Sequence, residues 1–321
     1  MKKWIPLLRF LAVSMVVVFI LSEAKDFLIK TSVDIASPKI IGAKVEIGSL
    51  SVGLLSHKII IKNFRMYNPP GFPKQVFLVM PEVMVDVDVP QLLKGKMHFP
   101  YVVFNMDKVI IIKNKERKLN VDSLKIVEEQ QAANKGKPMK LPVFKIDTLD
   151  LNLGKVIVED YTHAPPVRVL AYDVGVKNLK IRNINGIPKL VTIVLVEAMK
   201  PTALRSAGLY AATAVLGVGF FPAVAIGLAV AKDTADADLN TSSSRVHREC
   251  LRLIADLKGT VKKTDEGKGE IWAKVYNCDI TFTIQSKGWE RCHIKIKARQ
   301  FMLPKLETAN GLLYQLTERL K

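Results

Sequence analysis

The sequence predicts a mainly β fold with an N-terminal membrane helix and a small α+β domain at the C-terminal end. Three observations lead to this prediction: β-branched runs alternate with turn residues, two long apolar runs are almost free of charge, and the last eighty or so residues combine helix and strand patterns. The chain is therefore divided into a signal anchor or transmembrane helix, a β-rich domain, an apolar Ala/Gly-rich helical segment with a linker, and a small α+β domain, at 1–24, 25–200, 201–240 and 241–321.

The first apolar run predicts a membrane anchor. Lys2 and Lys3 precede a stretch from Trp4 to Leu21 whose polar residues are one arginine and one serine. This length approaches the roughly 20 residues that span a bilayer, and the basic start favours a cytoplasmic N-terminus. A signal peptide cleaved after Ala24 is the alternative, because small residues stand at the two positions that a signal peptidase reads.

The β-rich domain is predicted from alternation of apolar and polar residues. Val83, Val85, Val87 and Val89 alternate with a methionine and two aspartates, which is typical of a strand with one dry face. A polar stretch at 127–138 predicts a loop or frayed helix that crosses between two sets of strands. We therefore expect a long, meandering, antiparallel sheet with no alternating βαβ pattern, and its further strands are predicted near 59–61, 101–112, 144–153, 169–181 and 190–196.

Three consecutive motifs resemble the start of AsmA-family proteins. They are Gly42–Val52, with its Ile-Gly-Ser sequence, then Ile59–Phe64, and then the Asn-Pro-Pro-Gly-Phe turn within Tyr67–Phe72. The resemblance covers roughly 1–125 clearly and weakens toward 200. It implies a bacterial inner-membrane protein whose bulk lies in the periplasm and whose curved sheet has an apolar concave face, related to bridge-like lipid transfer proteins.

The resemblance also implies a function without catalysis. Such a face can bind the acyl chains of membrane phospholipid, either for lipid transfer or for outer-membrane assembly, so the lipid-binding candidates are Val83, Val85, Val87 and Val89. Nine or ten strands at about 4.8 Å spacing make a sheet about 45 Å wide, too short to cross a cell envelope alone. The rival hypothesis is a scaffold whose sheet docks other envelope proteins and holds no lipid.

The second apolar run extends from Ser206 to Ala231 and contains no charged residue. Its length can span a bilayer, and Pro222 also allows two short helices that lie on a membrane or on the sheet. A span would place 241–321 in the cytoplasm, whereas a buried or interfacial helical segment would leave it in the periplasm, and we expect the latter.

The last segment predicts a helix, four strands and a helix. Val246, Cys250, Leu253 and Leu257 follow helical spacing, with Ser244 as the N-cap. Strands are predicted at 259–264, 271–276, 279–285 and 293–299, and a last helix at 304–320. This order resembles a small domain of unknown function in bacterial envelope lipoproteins.

The cysteines predict core positions rather than a metal site. Cys250, Cys278 and Cys292 lack zinc spacing, and the two strand cysteines share parity with apolar neighbours. A disulfide between Cys250 and a strand cysteine stays open as an alternative.

The net charge of +18 requires an anionic environment or a solvated basic surface. Basic residues are spread along strands and turns with no nucleic-acid reader motif, which favours phospholipid headgroups over nucleic acid as partner.

No catalytic, metal or cofactor site is predicted. The sequence contains no nucleophile elbow, phosphate-binding glycine loop or His-Glu-x-x-His motif. Glu128 and Glu129 are interpreted as a solvated pair, and Asp86 and Asp88 as lying on a wet strand face. The histidines are interpreted as surface or strand residues: His57, His98, His163, His247 and His293.

Overall fold

The computed structural model describes residues 42–53, 56–124, 144–202, 204 and 232–321, which form two open β-sheets with a few helices. The prediction of a mainly β chain is confirmed. The predicted membrane helix at 1–24, the crossing at 127–138 with Glu128 and Glu129, and the apolar run at 206–231 lie outside the described residues.

The first sheet has seven strands, in the spatial order β1, β3, β4, β5, β6, β7, with β2 beside β1 on the same edge of β3. The sheet is six strands across, so at a spacing of about 4.8 Å it is about 24 Å wide, narrower than the predicted width of about 45 Å. Its longest strands have 17 and 18 residues and make it about 55 Å long. The bounds are β1 Val45–Glu46, β2 Ser49–Gly53, β3 Lys58–Tyr67, β4 Val76–Asp86, β5 Met97–Lys113, β6 Phe144–Asp160 and β7 Arg168–Asn185.

One strand pair corrects the prediction of an antiparallel sheet. Strands β5 and β6 are parallel, from Met97 opposite Phe144 to Lys113 opposite Asp160. Parallel neighbours need a long connection, and residues 114–143 separate the end of β5 from the start of β6 in the chain. The sequence pattern did not specify that β5 and β6 run in the same direction.

Short irregularities keep one face of the first sheet apolar along its whole length. The parity of the inward residues changes between Ile61 and Phe64 in β3, and between Leu153 and Val156 in β6. Asn63 has a φ of 53°, and a side chain at Gly154 would place Cβ 2.6 Å from the carbonyl oxygen of Asp107. The pairing of β6 with β7 shifts register around Leu153, whereas the register of β3 with β4 is the same on both sides of Asn63. Both irregularities leave the apolar side chains on the same face.

The predicted strand at 190–196 is wrong, because these residues belong to helix α2, Gly186–Met199. Gly186 has a φ of 77° and turns the chain out of β7, and Pro188 fits the first helical turn. A short apolar run cannot by itself distinguish a strand from a buried helix. The other helices of this part are α1, Val89–Leu93, and a 3-10 helix, Asn120–Ser123.

The second sheet is antiparallel, with β9, β10, β11 and β12 in order and β8 and β13 sharing the outer edge of β12. Helices α3, Ser243–Asp256, and α4, Leu306–Leu320, pack on one face. The four predicted strands and two helices are confirmed, whereas β8 falls in the predicted linker 201–240 and the N-cap is Ser242 instead of Ser244. The bounds are β8 Thr234–Leu239, β9 Thr260–Asp265, β10 Glu270–Val275, β11 Cys278–Ser286, β12 Cys292–Gln300 and β13 Leu303–Pro304.

The two sheets meet through α4, which lies on the first sheet opposite its apolar face. Gly311 approaches so closely that an added Cβ would lie 2.2 Å from the carbonyl oxygen of Val169. Tyr314 packs with residues such as Ile112 and Ile157. The hydroxyl of Tyr276 donates to the carbonyl oxygen of Val167 at 2.8 Å. Helix α4 therefore belongs to both cores.

Candidate functional site

The apolar face of the first sheet is the main candidate surface, and much of it is a closed core. Leu195 and Met199 of α2, and Leu119 and Val121 around the 3-10 helix, are all at most 3% exposed and belong to the same cluster as the inward strand residues. A helix therefore already covers part of the face that was predicted to hold lipid.

Two of the four predicted lipid-binding residues lie on this apolar face. Val83 is 4% exposed and stands between Ile61 of β3 and Phe104 of β5. Val85 follows on the same face and is half-buried. The sequence therefore placed these two side chains on the dry side, as expected from their alternation.

Val87 and Val89 do not continue the strand, so the predicted series of four is corrected. Strand β4 ends at Asp86, and Val89 begins helix α1. The Asp88 carboxylate accepts a hydrogen bond from the backbone N–H of Gln91 and caps this helix. A proline after Val89 supports the helical start, since it needs no backbone donor there. An Asp-x-Pro sequence was the available signal.

Strand β7 offers the more accessible part of the apolar face. It is the last strand of the sheet, and its inward residues Leu170, Tyr172, Val174 and Val176 are half-buried. On the other face of β7, Asp173 is exposed, whereas Val169 and Ala171 are buried. Burial raises the pKa of Tyr172 to about 12, with a smaller contribution from the charge of Glu307. Sequence analysis predicted this strand but did not single out these residues.

A charged cluster lies at the end of the first sheet where β5 and β6 begin. The sequence patterns did not indicate it. The Nδ1 of His98 lies 2.8 Å from a carboxylate oxygen of Asp88, and its Nε2 lies 2.8 Å from one of Asp147. Ionised carboxylates only accept hydrogen bonds, so both ring nitrogens donate and the imidazole is positively charged. Lys145 also pairs with Asp147 at 2.6 Å.

The pKa values in this cluster shift in the directions that the contacts require. Hydrogen bonds from Asp88 and then Asp147 raise the pKa of His98. The hydrogen bond from His98 lowers the pKa of Asp88, and those from Lys145 and then His98 lower the pKa of Asp147. Both ring nitrogens are paired with carboxylates, so the cluster holds α1, β5 and β6 together. The expectation that Asp86 and Asp88 share a wet strand face is corrected for Asp88.

A cavity of about 550 Å³ lies beside this cluster, and a groove of about 600 Å³ follows the bulges on the polar face. Within the groove, Asn152 donates to the side-chain oxygen of Asn105 at 2.9 Å and accepts from the backbone N–H of Asn178 at 2.7 Å. These amides tie three strands together where their registers change. The groove is therefore lined by groups that stabilise the sheet.

The remaining histidines have structural contacts. His293 pairs with Asp238 at 2.7 Å, and His163 lies 3.0 Å from Thr162. His57 is exposed. His247 corrects the interpretation as a surface or strand residue, because it is 8% exposed and lies in helix α3. His247 is three residues before Cys250 and seven before Ile254, and this helical spacing from core residues is the signal that would have placed it inside.

The cysteines confirm the core prediction. Cys250, Cys278 and Cys292 are free thiols with no exposed surface, so the disulfide alternative is not the arrangement in the structure. Burial raises the pKa of each thiol. Among the residues that the structure describes, no group of three His, Cys, Asp or Glu side chains is placed to hold a metal ion.

No protein-family model matches the sequence, and no curated protein shows significant similarity to it. Within the described ranges, no helix is both long enough and apolar enough to cross a membrane. The AsmA resemblance and the membrane location therefore stay predictions.

Proposed function

We propose that this chain is a non-enzymatic envelope protein of AsmA type that binds phospholipid acyl chains along the apolar face of its first sheet. It would be held in the bacterial inner membrane by its N-terminal segment, with the bulk of the chain in the periplasm. The single observation that carries the proposal is the continuity of the apolar face along the first sheet, through the register shifts between β6 and β7. Bulges that preserve an apolar face over about 55 Å suit a ligand as long as an acyl chain.

The entry point in this proposal is the β7 edge. Tyr172, Val174 and Val176 keep apolar surface half-exposed there, whereas α2 packs on β6 and on β7, the strand that it follows. An acyl chain lying along β7 would contact these side chains and leave its headgroup in water. The basic character of the chain, with its net charge of +18, favours anionic headgroups.

A scaffold without lipid is the second candidate function, and one observation favours it. Val83 is 4% exposed and α2 is packed into the same core, so part of the face is already used for folding. A partner protein that covers the β7 edge would complete this core in the same way as α2. Both hypotheses require the β7 edge to be occupied, and they differ in what occupies it.

Photo-crosslinking in the full-length chain separates the two hypotheses. A photoreactive amino acid is placed at Val174 in bacteria that express the protein in their membranes, and adducts are identified by mass spectrometry. Position 177 is the matched control, because Lys177 lies on the same strand and is exposed. We expect phospholipid adducts at position 174 and none at position 177.

Polypeptide adducts at position 174 would establish the scaffold in place of lipid binding. Equal lipid adducts at positions 174 and 177 would show that the label reports only nearness to the membrane, and would overturn the proposed site. Val85→Asp adds a second readout, because a charge on the half-buried apolar face should reduce lipid adducts at position 174 if an acyl chain extends across the sheet.

A further inference from the structure

A two-residue turn between β12 and β13 presents bulky apolar side chains to solvent. Phe301 is 89% exposed, Met302 84% and Leu303 62%. Gln300 pairs with Leu303, so Phe301 and Met302 are the two central residues of the hairpin. We call residues 301–303 the apolar tip.

The backbone of the apolar tip is costly for these residue types. Phe301 has a φ of 47° and Met302 a φ of 65°, which gives a turn whose two central positions favour Asn-Gly. Side chains with a Cβ are strained in this region, and exposing a phenylalanine gains nothing for folding. Folding alone therefore does not explain these residues.

A second hairpin of the same sheet shows how such a turn can be used. Tyr276 and Asn277, between β10 and β11, also have positive φ values of 52° and 61°. The Tyr276 hydroxyl contacts Val167, and its ring lies beside Arg168 of the first sheet. That strained tip is a docking element within the molecule, whereas the apolar tip is exposed to solvent.

The position of the apolar tip points to a membrane. The backbone N–H of Ala298 donates to the carbonyl oxygen of Asp233 at 2.8 Å, and Lys305 donates to the carbonyl oxygen of Ala298. Residues 206–231, which precede this point in the chain, contain no charged side chain. Phe301, the first residue of the tip, is three residues beyond Ala298, or about 10 Å along a strand. The point at which the described chain resumes after the apolar run is therefore about 10 Å from the tip.

Charge around the apolar tip is in favour of an anionic surface. Asp233 pairs with Lys297 at 3.5 Å and with Arg299 at 2.5 Å, and Glu307 pairs with Lys305 at 3.8 Å. Lys232 adds a further exposed cation. Four basic side chains therefore surround two carboxylates, while Asp279 on the next strand pairs with Lys262.

We infer that the apolar tip inserts into the interface of an anionic phospholipid bilayer. Three side chains on a convex hairpin are far below the roughly 800 Å² that each partner contributes to a standard protein interface. Apolar side chains flanked by cations suit the boundary between acyl chains and anionic headgroups. This inference does not depend on lipid binding by the first sheet.

The test uses the full-length chain in vesicles of phosphatidylethanolamine and phosphatidylglycerol, with a nitroxide at Met302→Cys. The three native cysteines are fully buried, so the new thiol is the one expected to react. Trp289→Cys is the matched control, because Trp289 is 98% exposed at the opposite end of β12, about 30 Å away. We expect the nitroxide at position 302 to collide several-fold more often with dissolved oxygen than with a water-soluble nickel complex. The nitroxide at position 289 should collide more often with the nickel complex than with oxygen.

A paired substitution separates insertion from folding. The double substitution Phe301→Asn with Met302→Gly relieves the backbone strain of the turn, so this variant should unfold at a higher temperature. In the same variant, a nitroxide at Leu303→Cys should lose its preference for collisions with oxygen. Replacing phosphatidylglycerol with phosphatidylcholine should reduce that preference without the substitution. A label at 302 that stays accessible to nickel would overturn the inference. A label shielded from both reagents would do so too, because it would indicate a protein contact.

Discussion

At the residue scale, the most informative side chain is His98, which lies between two carboxylates. Its raised pKa means that the paired state is stabilising below its ordinary value of 6.5 and is lost as pH rises through the raised value in the folded protein. The pKa values of Asp88 and Asp147 are lowered, so their stabilising contribution is complete above the ordinary value of 3.8. It is lost as the pH falls through the lowered values in the folded protein. The cluster is therefore most stabilising between these limits.

The raised pKa of His98 predicts how the effect of His98→Gln depends on pH. The difference in free energy of unfolding between the native protein and the variant should be largest near about pH 5 and should shrink toward alkaline pH. Denaturant unfolding at several pH values measures it. His163→Gln removes an exposed imidazole and serves as control. A difference that is constant from pH 5 to pH 9 would show that His98 is not the charged partner.

Asn120 is a second residue whose contacts can be tested. It is fully buried, its side-chain oxygen accepts from the backbone N–H of Ile112, and its amide donates to the carbonyl oxygen of Ile110 and to Asn68. Asn120→Ala leaves buried backbone groups unpaired and should lower the free energy of unfolding by about 2–4 kcal/mol.

The control for this substitution is Asn114→Ala, which removes the side-chain oxygen that accepts a hydrogen bond from the exposed backbone N–H of Lys118. Water can replace that bond, so the cost should stay below about 1 kcal/mol. Equal losses in thermal or denaturant unfolding would mean that burial of Asn120 does not decide the cost.

At the scale of elements, α2 determines how much of the apolar face is closed. Leu195 is 2% exposed and packs in the core of the first sheet. Leu195→Ala should lower the free energy of unfolding by about 2–5 kcal/mol. Leu190→Ala makes the same change at a half-buried position of the same helix and should cost less. Equal costs would indicate that α2 is not docked on the sheet as a unit.

The same helix shows why elements were predicted unevenly. Strands with strict alternation, such as β11 and β12, were predicted within one or two residues. The run from Leu190 to Val196 is apolar except for Thr192, so it carries no periodicity that separates strand from helix. Strand β8, with its Ala-Asp repeat, has little strand propensity and forms because β12 presents an open edge.

At the scale of the whole molecule, α4 couples the two sheets. Gly311 lets the helix approach Val169, and Lys108 of the first sheet lies 3.4 Å from Glu318 of α4. A methyl group at position 311 cannot fit without moving the helix. Gly311→Ala should therefore separate the two sheets, although alanine favours a helix by about 1 kcal/mol.

We expect Gly311→Ala to replace one cooperative thermal transition by two, or to lower its midpoint, in calorimetry. Gly267→Ala is the control, because the nearest atom to its added Cβ would be 3.6 Å away. A more stable Gly311→Ala protein would contradict the close packing of α4 on β7.

The sequence by itself determined the strand-rich character of the chain, the face on which Val83 and Val85 lie, the cysteines as core residues and the helix–strand order of the last domain. Each of these follows from local periodicity. Tertiary structure alone decided the parallel pairing of β5 with β6, the closure of the apolar face by α2 and the cluster around His98. These depend on contacts between residues far apart in sequence, such as His98 and Asp147. Local patterns do not specify which distant segments meet, because a given apolar or charged side chain has many equivalent partners until packing selects one.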